Sequence, residues 1–332
     1  MAAPMTPPAD APRFLDACGW AGARIEPLAG DASFRRYFRV IGDGRSAVLM
    51  DAPPPHEDPG PFAAVAEWLC SMGLSAPEII HRDLEKGLLL LADFGDARLR
   101  ETLDQDPTRE RELYELATDV LIHLHRHPPM PGLPGHGLDT WLEELMLFPD
   151  WYCKALGLAV DVDGYRAAWV EALRPVAADG LGPVTILRDY HAENIMLIGG
   201  RDGVEHFGLL DFQDARTGHP AYDLASVLED ARRDVPETIE RDMIDRYFAA
   251  TGQGEAFERA YWALAAQRNT RILGVFTRLW KRDNKPHYTV FQPRMWGLLE
   301  RDLASPQLAP VRAWFDANVA PEHRAAPWAK PA

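Results

Sequence analysis

The stretch from Leu187 to Asp214 constrains this chain more than any other. It reads Leu-Arg-Asp-Tyr-His-Ala-Glu-Asn over 187–194, then an apolar run, a Gly-rich turn, a second apolar run, and Leu-Leu-Asp-Phe-Gln-Asp over 209–214. The runs 195–198 and 204–210 flank Gly199-Gly-Arg-Asp-Gly203, so the pattern predicts a strand hairpin. Asn194 directly precedes the first strand and Asp211 directly follows the second. The open ends of such a hairpin lie about 5 Å apart, which drives Asn194 and Asp211 together, with Asp189 one short loop away. Two hard oxygen donors beside a free carboxylate suit Mg²⁺ and phosphates, since Mg²⁺ is usually held by one or two carboxylates plus nucleotide oxygens. The spare carboxylate, Asp189, can then accept a proton from an attacking hydroxyl. Asp and Asn also populate turns for conformational reasons alone. The spacing, the hairpin and the apolar-Asp-Phe run, all in one order, are what point to chemistry.

The rest of the chain supplies a small sheet first and helices after it. Strands are predicted over 24–28, 34–41 and 47–50, with Gly42-Asp-Gly44 as a hairpin turn, and a buried strand over 87–91. One helix over 62–72 accompanies them. After Gly95 the spacing of apolar residues predicts helices over 98–125, 139–148, 164–176, 221–231, 237–251 and 255–280. Residues 1–12 are Pro/Ala-rich and read as a disordered tail, and the segment from Pro321 reads as a frayed end. The expected fold class is α+β with two lobes, 13–94 and 95–332.

Charge removes several partners. Thirty-five basic residues against fifty acidic ones give a net charge of −15, a surface that repels phosphate backbones and anionic lipid. The expected partner is therefore neither nucleic acid nor membrane. The three cysteines, Cys18, Cys70 and Cys153, match no disulfide framework and no CxxC metal pattern. The N-terminus lacks the basic and apolar regions of a signal peptide, and no run approaches about 18 apolar residues. A soluble cytoplasmic protein is expected.

The segments LRDYHAEN, LLDFQDA and HPAYDLAS together resemble the aminoglycoside phosphotransferase-like kinase superfamily. The resemblance spans about residues 26–300 and implies a bilobal protein-kinase-like fold that uses ATP and Mg²⁺. It makes 13–94 the nucleotide-binding lobe and 95–332 the lobe of the catalytic loop, metal site and sugar site. It implies Asp189 as catalytic base, Asn194 and Asp211 as Mg²⁺ holders, and Asp223 as a brace for the loop. More narrowly, GDASFRRYFRV, VLMDAPPP, LLLLADFGD and QRNTRILGVFTRLWKRDNKPHY are similar to bacterial kinases of cell-wall recycling. Those kinases phosphorylate the anomeric hydroxyl of N-acetylmuramate and N-acetylglucosamine, so the implied partner is a small amino sugar, met by a monomer.

The sequence departs from the superfamily at three places. Its usual His two positions before the base is Leu187, with Arg188 between; the Gly of its Asp-Phe-Gly run is Gln213; and the third-strand Lys that contacts the α/β-phosphates is absent, with Met50 about where it belongs. Alternation along the second strand puts Arg35, Tyr37 and Arg39 on one face and Phe34, Arg36 and Phe38 on the other. Arg35 is the preferred substitute for the Lys and Arg36 the second choice; ordinary solvated strand residues are the competing reading. Gly30 and Ser33 form the turn that approaches the phosphates. The resemblance puts the backbone from Leu91 at the adenine edge, and Asp93 reads equally as a ligand or a local cap. The kinase helix Glu corresponds to Glu67, without its Lys partner.

On the sugar side, Trp141 belongs to an aromatic cluster with Phe148, Trp151 and Tyr152, interleaved with Glu143, Glu144 and Asp150. Such clusters stack on sugars but more often form core. Arg188 neighbours the base. On the helix over 255–280 and just beyond it, Arg268, Arg271, Arg278 and Arg282 fall within an arc of about 80° beside the apolar face, suiting a carboxylate, an acetamide oxygen or an internal acidic partner. His123, His125 and His127 are two apart, a poor chelate on a helix. Two other readings remain at this level: an aminoglycoside phosphotransferase, and a pseudokinase scaffold that binds nucleotide without turnover. A protein kinase is excluded, because only twelve positions separate Asp211 from Asp223.

Overall fold

Alternating side chains over 36–51 set up the first sheet. In this computed structural model, residues 5–28, 34–324 and 328 are described, and the chain divides into two units: Met1–Pro107 with Glu193–Ala215, and Thr108–Ala192 with Arg216–Ala332. In the first unit, strands β1 (Arg24–Pro27), β2 (Arg36–Gly42), β3 (Arg45–Asp51), β4 (Ile79–Asp83) and β5 (Leu88–Ala92) form an antiparallel sheet in the order β1-β2-β3-β5-β4. β2 and β3 join through Asp43 at φ 52 and Gly44 at φ 72. Positive φ at both central residues is what a two-residue hairpin matched to strand twist requires. Phe38, Val40, Ala47, Leu49, Leu88 and Leu90 bury one face of the sheet against Phe14, Leu15 and Trp20. The unbroken run Leu88–Leu91, in the strand between β3 and β4, is buried on both faces.

The N-terminal tail corrects the sequence expectation over 5–12. Ala11 is fully buried at the start of a helix, Ala11–Ala17, and Met5 packs against the same apolar core. Apolar residues on either side of the prolines reach the core, so the Pro/Ala composition does not leave this segment loose. Residues 1–4 lie outside the described residues.

The boundary between units also differs from 94/95. The hairpin of Ile195–Leu197 and Phe207–Leu209 packs in the first unit, together with 95–107. The Leu209 N–H donates to Ser75 O and the Leu197 N–H to Ala97 O, both at 2.7 Å, and the Phe212 ring stacks on Phe62. Gly208 permits this: a Cβ there would stand 2.5 Å from the Phe94 ring. The expected strand over 204–210 starts late because Gly203–His206 turns as a 3₁₀ helix.

The second unit is mainly helical around the 30-residue helix Gly254–Asp283, which packs on Gln292–Asp302 and on Ala221–Leu228. A Cβ on Gly274 would lie 2.4 Å from the Leu147 carbonyl, so glycine allows the close approach at mid-helix. Strands Gly135–His136 and Val184–Ile186 flank Arg216–Gly218. The expected helix over 98–125 is broken at Asp106-Pro107 into Leu99–Gln105 and Glu110–His125, because proline bars a helical conformation before it. The expected frayed end carries a short helix, Pro321–Arg324, whose Arg324 pairs with Glu300 and Asp316. Residues 325–327 and 329–332 are outside the described residues. Among the described residues, no helix is long and apolar enough to cross a membrane.

Candidate active site

In the first unit, the hairpin brings Asn194 and Asp211 together as its geometry predicts. The Leu210 N–H donates to Asn194 O at 2.9 Å, and Asn194 Nδ2 lies 3.5 Å from Asp211 Oδ2. Asp211 holds φ 57, a left-handed conformation uncommon for a non-glycine residue and concentrated at functional positions. Its other oxygen, Oδ1, accepts from Gln213 Nε2 at 2.7 Å and lies 3.8 Å from Arg35 Nη2. Arg35 in turn stands 4.0 Å from Glu57, whose Oε1 accepts the Phe34 N–H at 3.2 Å. A carboxylate and a carboxamide oxygen, with the buried Gln213 Oε1 beside them and without a hydrogen-bond partner among the described residues, form a hard-donor set that fits Mg²⁺. Among the described residues there is no cluster of three or more His, Cys, Asp or Glu of the kind that holds a metal by protein alone.

Four of the expected nucleotide-side residues take structural roles. Arg36 binds Asp51 through Nε at 2.8 Å and through Nη2, and donates to Thr6 O. Leu91 sits in the ladder between Val48 and Ile79, which occupies it in sheet pairing. Asp93 caps the Gly95 N–H at 2.9 Å and pairs with Arg39, which corrects the ligand reading to the cap reading. Backbone donation, arginine and the hydroxyl of Ser46 lower its pKa against the opposing effect of burial. Glu67 pairs with Arg82 at the surface. Met50 is fully buried, so the position of the absent lysine is a packed core site. Gly30 and Ser33 lie outside the described residues.

In the second unit, the loop that carries Asp189 is fixed from behind. Asp223, fully buried near the start of helix Ala221–Leu228, accepts the Leu187 N–H through Oδ2 and the Arg188 N–H through Oδ1 at 2.9 Å. Arg188 holds φ 68, the Ser226 hydroxyl donates to its carbonyl at 3.3 Å, and the Asp189 N–H donates to Leu187 O at 2.9 Å. Tyr190 Oη reaches Ala117 O, and Asp230 accepts the Ala192 N–H. Two side-chain oxygens therefore hold a strained residue directly before Asp189. Burial pushes the Asp223 carboxyl up to about 7, opposed by the two backbone donors.

Glu144 gathers the basic residues expected on the sugar side. Arg188 Nη2 binds its Oε1, while Arg271 Nε lies 3.4 Å and His136 Nε2 3.3 Å from its Oε2. His136 Nδ1 accepts the Trp141 indole N–H at 3.0 Å, which leaves Nε2 as the protonated nitrogen facing Glu144. Despite burial, these donors hold the Glu144 carboxyl down to about 2, and burial keeps His136 neutral by lowering its pKa. Trp141 is thereby corrected from a sugar platform to a core residue: it is 2% exposed, with its one donor used. Arg268 is likewise buried, its Nη1 facing Glu229 O at 3.5 Å. Arg278 differs in having no carboxylate within ion-pair distance among the described residues, and burial, with Arg282 and Arg271 beside it, lowers its pKa. His125 binds Tyr247 Oη at 2.8 Å, with burial pushing its pKa down to about 3, and is a core histidine.

Sequence reasoning passed over Gln213, Glu57 and the central role of Glu144. Gln213 carried a signal as a departure from the kinase pattern two residues after Asp211, whereas Glu57 carried none.

Residues 24–262 match the phosphotransferase enzyme family. The chain is 38% identical to the N-acetylmuramate/N-acetylglucosamine kinase of Caulobacter vibrioides, over 94% of this chain and 96% of that one. It is 38% identical to the kinase of the same name from Pseudomonas aeruginosa, over 90% of each. In fold it resembles APH(2″)-IIa in its ternary complex with streptomycin and ATP, at a TM-score of 0.59 and 15% identity, covering 91% of this chain and 98% of that one.

Proposed function

The chain belongs to this phosphotransferase family, and we propose that it moves the γ-phosphoryl group of ATP to the anomeric hydroxyl of N-acetylmuramate or N-acetylglucosamine, giving the sugar 1-phosphate for cell-wall recycling. The observation that carries phosphoryl transfer is the pairing of Asn194 with Asp211, five residues of chain after an Asp189 whose loop Asp223 holds in place. The sugar assignment rests on the near full-length likeness to the Caulobacter kinase. In this reading the protein is a cytoplasmic monomer whose partner is a small molecule.

Each residue then has a defined task. Asp189 accepts the proton of the sugar hydroxyl as its oxygen bonds to the γ-phosphorus and the bridging oxygen leaves with ADP. An anomeric hydroxyl is more acidic than an ordinary alcohol, so a carboxylate is a sufficient base. Asn194 and Asp211 would hold Mg²⁺, which when bound neutralises charge on the phosphate oxygens. Arg35, on the Asp211 side of the first sheet, supplies the cation for α/β-phosphate oxygens that the missing lysine would provide. The test is Asp189→Asn, which should lower kcat by about 100-fold or more with little change in ATP affinity. Near-wild-type turnover in a folded variant would remove Asp189 as the base.

A further inference from the structure

Gln213 stands where the kinase pattern has glycine, and the roles given to Asn194 and Asp211 leave it unused. Its side chain is not idle. Nε2 donates to Asp211 Oδ1 at 2.7 Å, while Oε1 is buried and has no hydrogen-bond partner among the described residues. A buried amide oxygen without a donor is costly, and such an atom in a folded protein asks for an explanation. Around the same carboxylate, Arg35 Nη2 lies 3.8 Å from Oδ1 and Asn194 Nδ2 lies 3.5 Å from Oδ2. Gln213 thus fixes one oxygen of Asp211 and leaves the other on the Asn194 side. The left-handed backbone of Asp211 sets the direction from which the carboxylate enters this arrangement.

We propose that Gln213 is a positioning residue of the cation site. Its Nε2 sets the rotation of the Asp211 carboxylate, and its buried Oε1 accepts a hydrogen bond from a water of the cation's hydration shell. Mg²⁺ gives up its waters reluctantly and usually keeps several, and each is a strong donor of the kind Oε1 lacks. Groups that orient a metal ligand typically change metal affinity by about 10–100-fold when removed. Glycine at this position could perform neither task, so the substitution gives this chain a cation site with an additional polar wall. The inference rests on Asn194 and Asp211 being the metal residues.

The test is direct binding of Mn²⁺ in the presence of ADP, read from the electron paramagnetic resonance of free Mn²⁺. Wild type is compared with Gln213→Ala, with the near-isosteric Gln213→Met, which keeps volume and removes both polar atoms, and with Asp211→Ala. Both Gln213 variants should bind Mn²⁺ about 10–100-fold more weakly at an unchanged melting temperature. Their kcat should recover at saturating Mg²⁺, a pattern that a general packing defect would not produce. Should Gln213→Ala melt early, Gln213→Met carries the comparison. If Asp211→Ala loses Mn²⁺ and both Gln213 variants bind as wild type does, the Gln213 proposal is overturned and the metal reading stands. If Asp211→Ala also binds as wild type does, the metal reading itself has failed.

Discussion

Arg35 Nη2 lies 3.8 Å from Asp211 Oδ1, so the arginine just before β2 reaches the carboxylate at the end of the hairpin. The neighbouring Arg36 points the other way and binds Asp51. Arg36 opens β2 opposite Asp51 whereas Arg35 precedes the strand, and their substitutions should separate as well. Arg35→Ala should raise the KM for ATP and lower kcat, by about 10–100-fold in kcat/KM for a lost charge-assisted hydrogen bond. Arg36→Ala should leave the KM for ATP in place and cost stability instead, about 1–2 kcal/mol once screening of the 38%-exposed arginine is allowed for. Equal, small effects of both on steady-state kinetics would leave Arg35 a structural role beside Asp211 and Glu57 only.

Glu144 gives the pH dependence. Its carboxyl is held at about 2 against an ordinary 4.5, because His136, Arg271 and Arg188 favour the charged form more than burial opposes it. A depressed carboxyl contributes stability above its unfolded pKa and loses it as pH falls through the folded value. The contribution is therefore complete near neutrality, at about 3 kcal/mol, and declines from about pH 4.5 toward pH 2. Urea titrations of wild type and Glu144→Gln should differ by about that amount at pH 7, with the gap reduced by about half at pH 3. A gap independent of pH would mean that the glutamate acts through shape alone.

Arg278 is the member of the arginine stripe best prepared for an external anion. Arg271 is engaged by Glu144 and Arg268 is buried against Glu229, while Arg278 has no carboxylate within ion-pair distance among the described residues. N-acetylmuramate carries a lactyl carboxylate that N-acetylglucosamine lacks. Arg278→Ala should lower kcat/KM for N-acetylmuramate about 10–100-fold more than for N-acetylglucosamine. Equal losses on the two sugars would place the carboxylate elsewhere.

What the sequence disclosed and what it withheld divide along physical lines. Asn194 and Asp211 were legible because a hairpin fixes the distance between its own ends; Arg35 stands just before the second strand, where its neighbours Asp211 and Glu57, not strand alternation, set its direction. Asp223 was legible only through resemblance; the structure supplies its reason, two backbone donors and a strained Arg188. The Glu144 cluster was not legible. It gathers side chains from helix Leu138–Leu145, from the loop before Asp189 and from helix Gly254–Asp283, and no local spacing connects these elements. The same cluster explains why Trp141 misled: an aromatic residue amid carboxylates looks the same in sequence whether it faces a sugar or a buried histidine. Pro107 broke an apolar period that otherwise reads as one helix.

The position of the transferred phosphate tests the account most directly. The enzyme, ATP and Mg²⁺ are incubated separately with N-acetylmuramate, N-acetylglucosamine and kanamycin, and each product is read by phosphorus NMR with its coupling to sugar protons. The account predicts a product from the N-acetyl sugars whose phosphorus couples to the anomeric proton, lost in Asp189→Asn. Phosphorus coupled to the C6 protons, or turnover of kanamycin with none of either N-acetyl sugar, would contradict it.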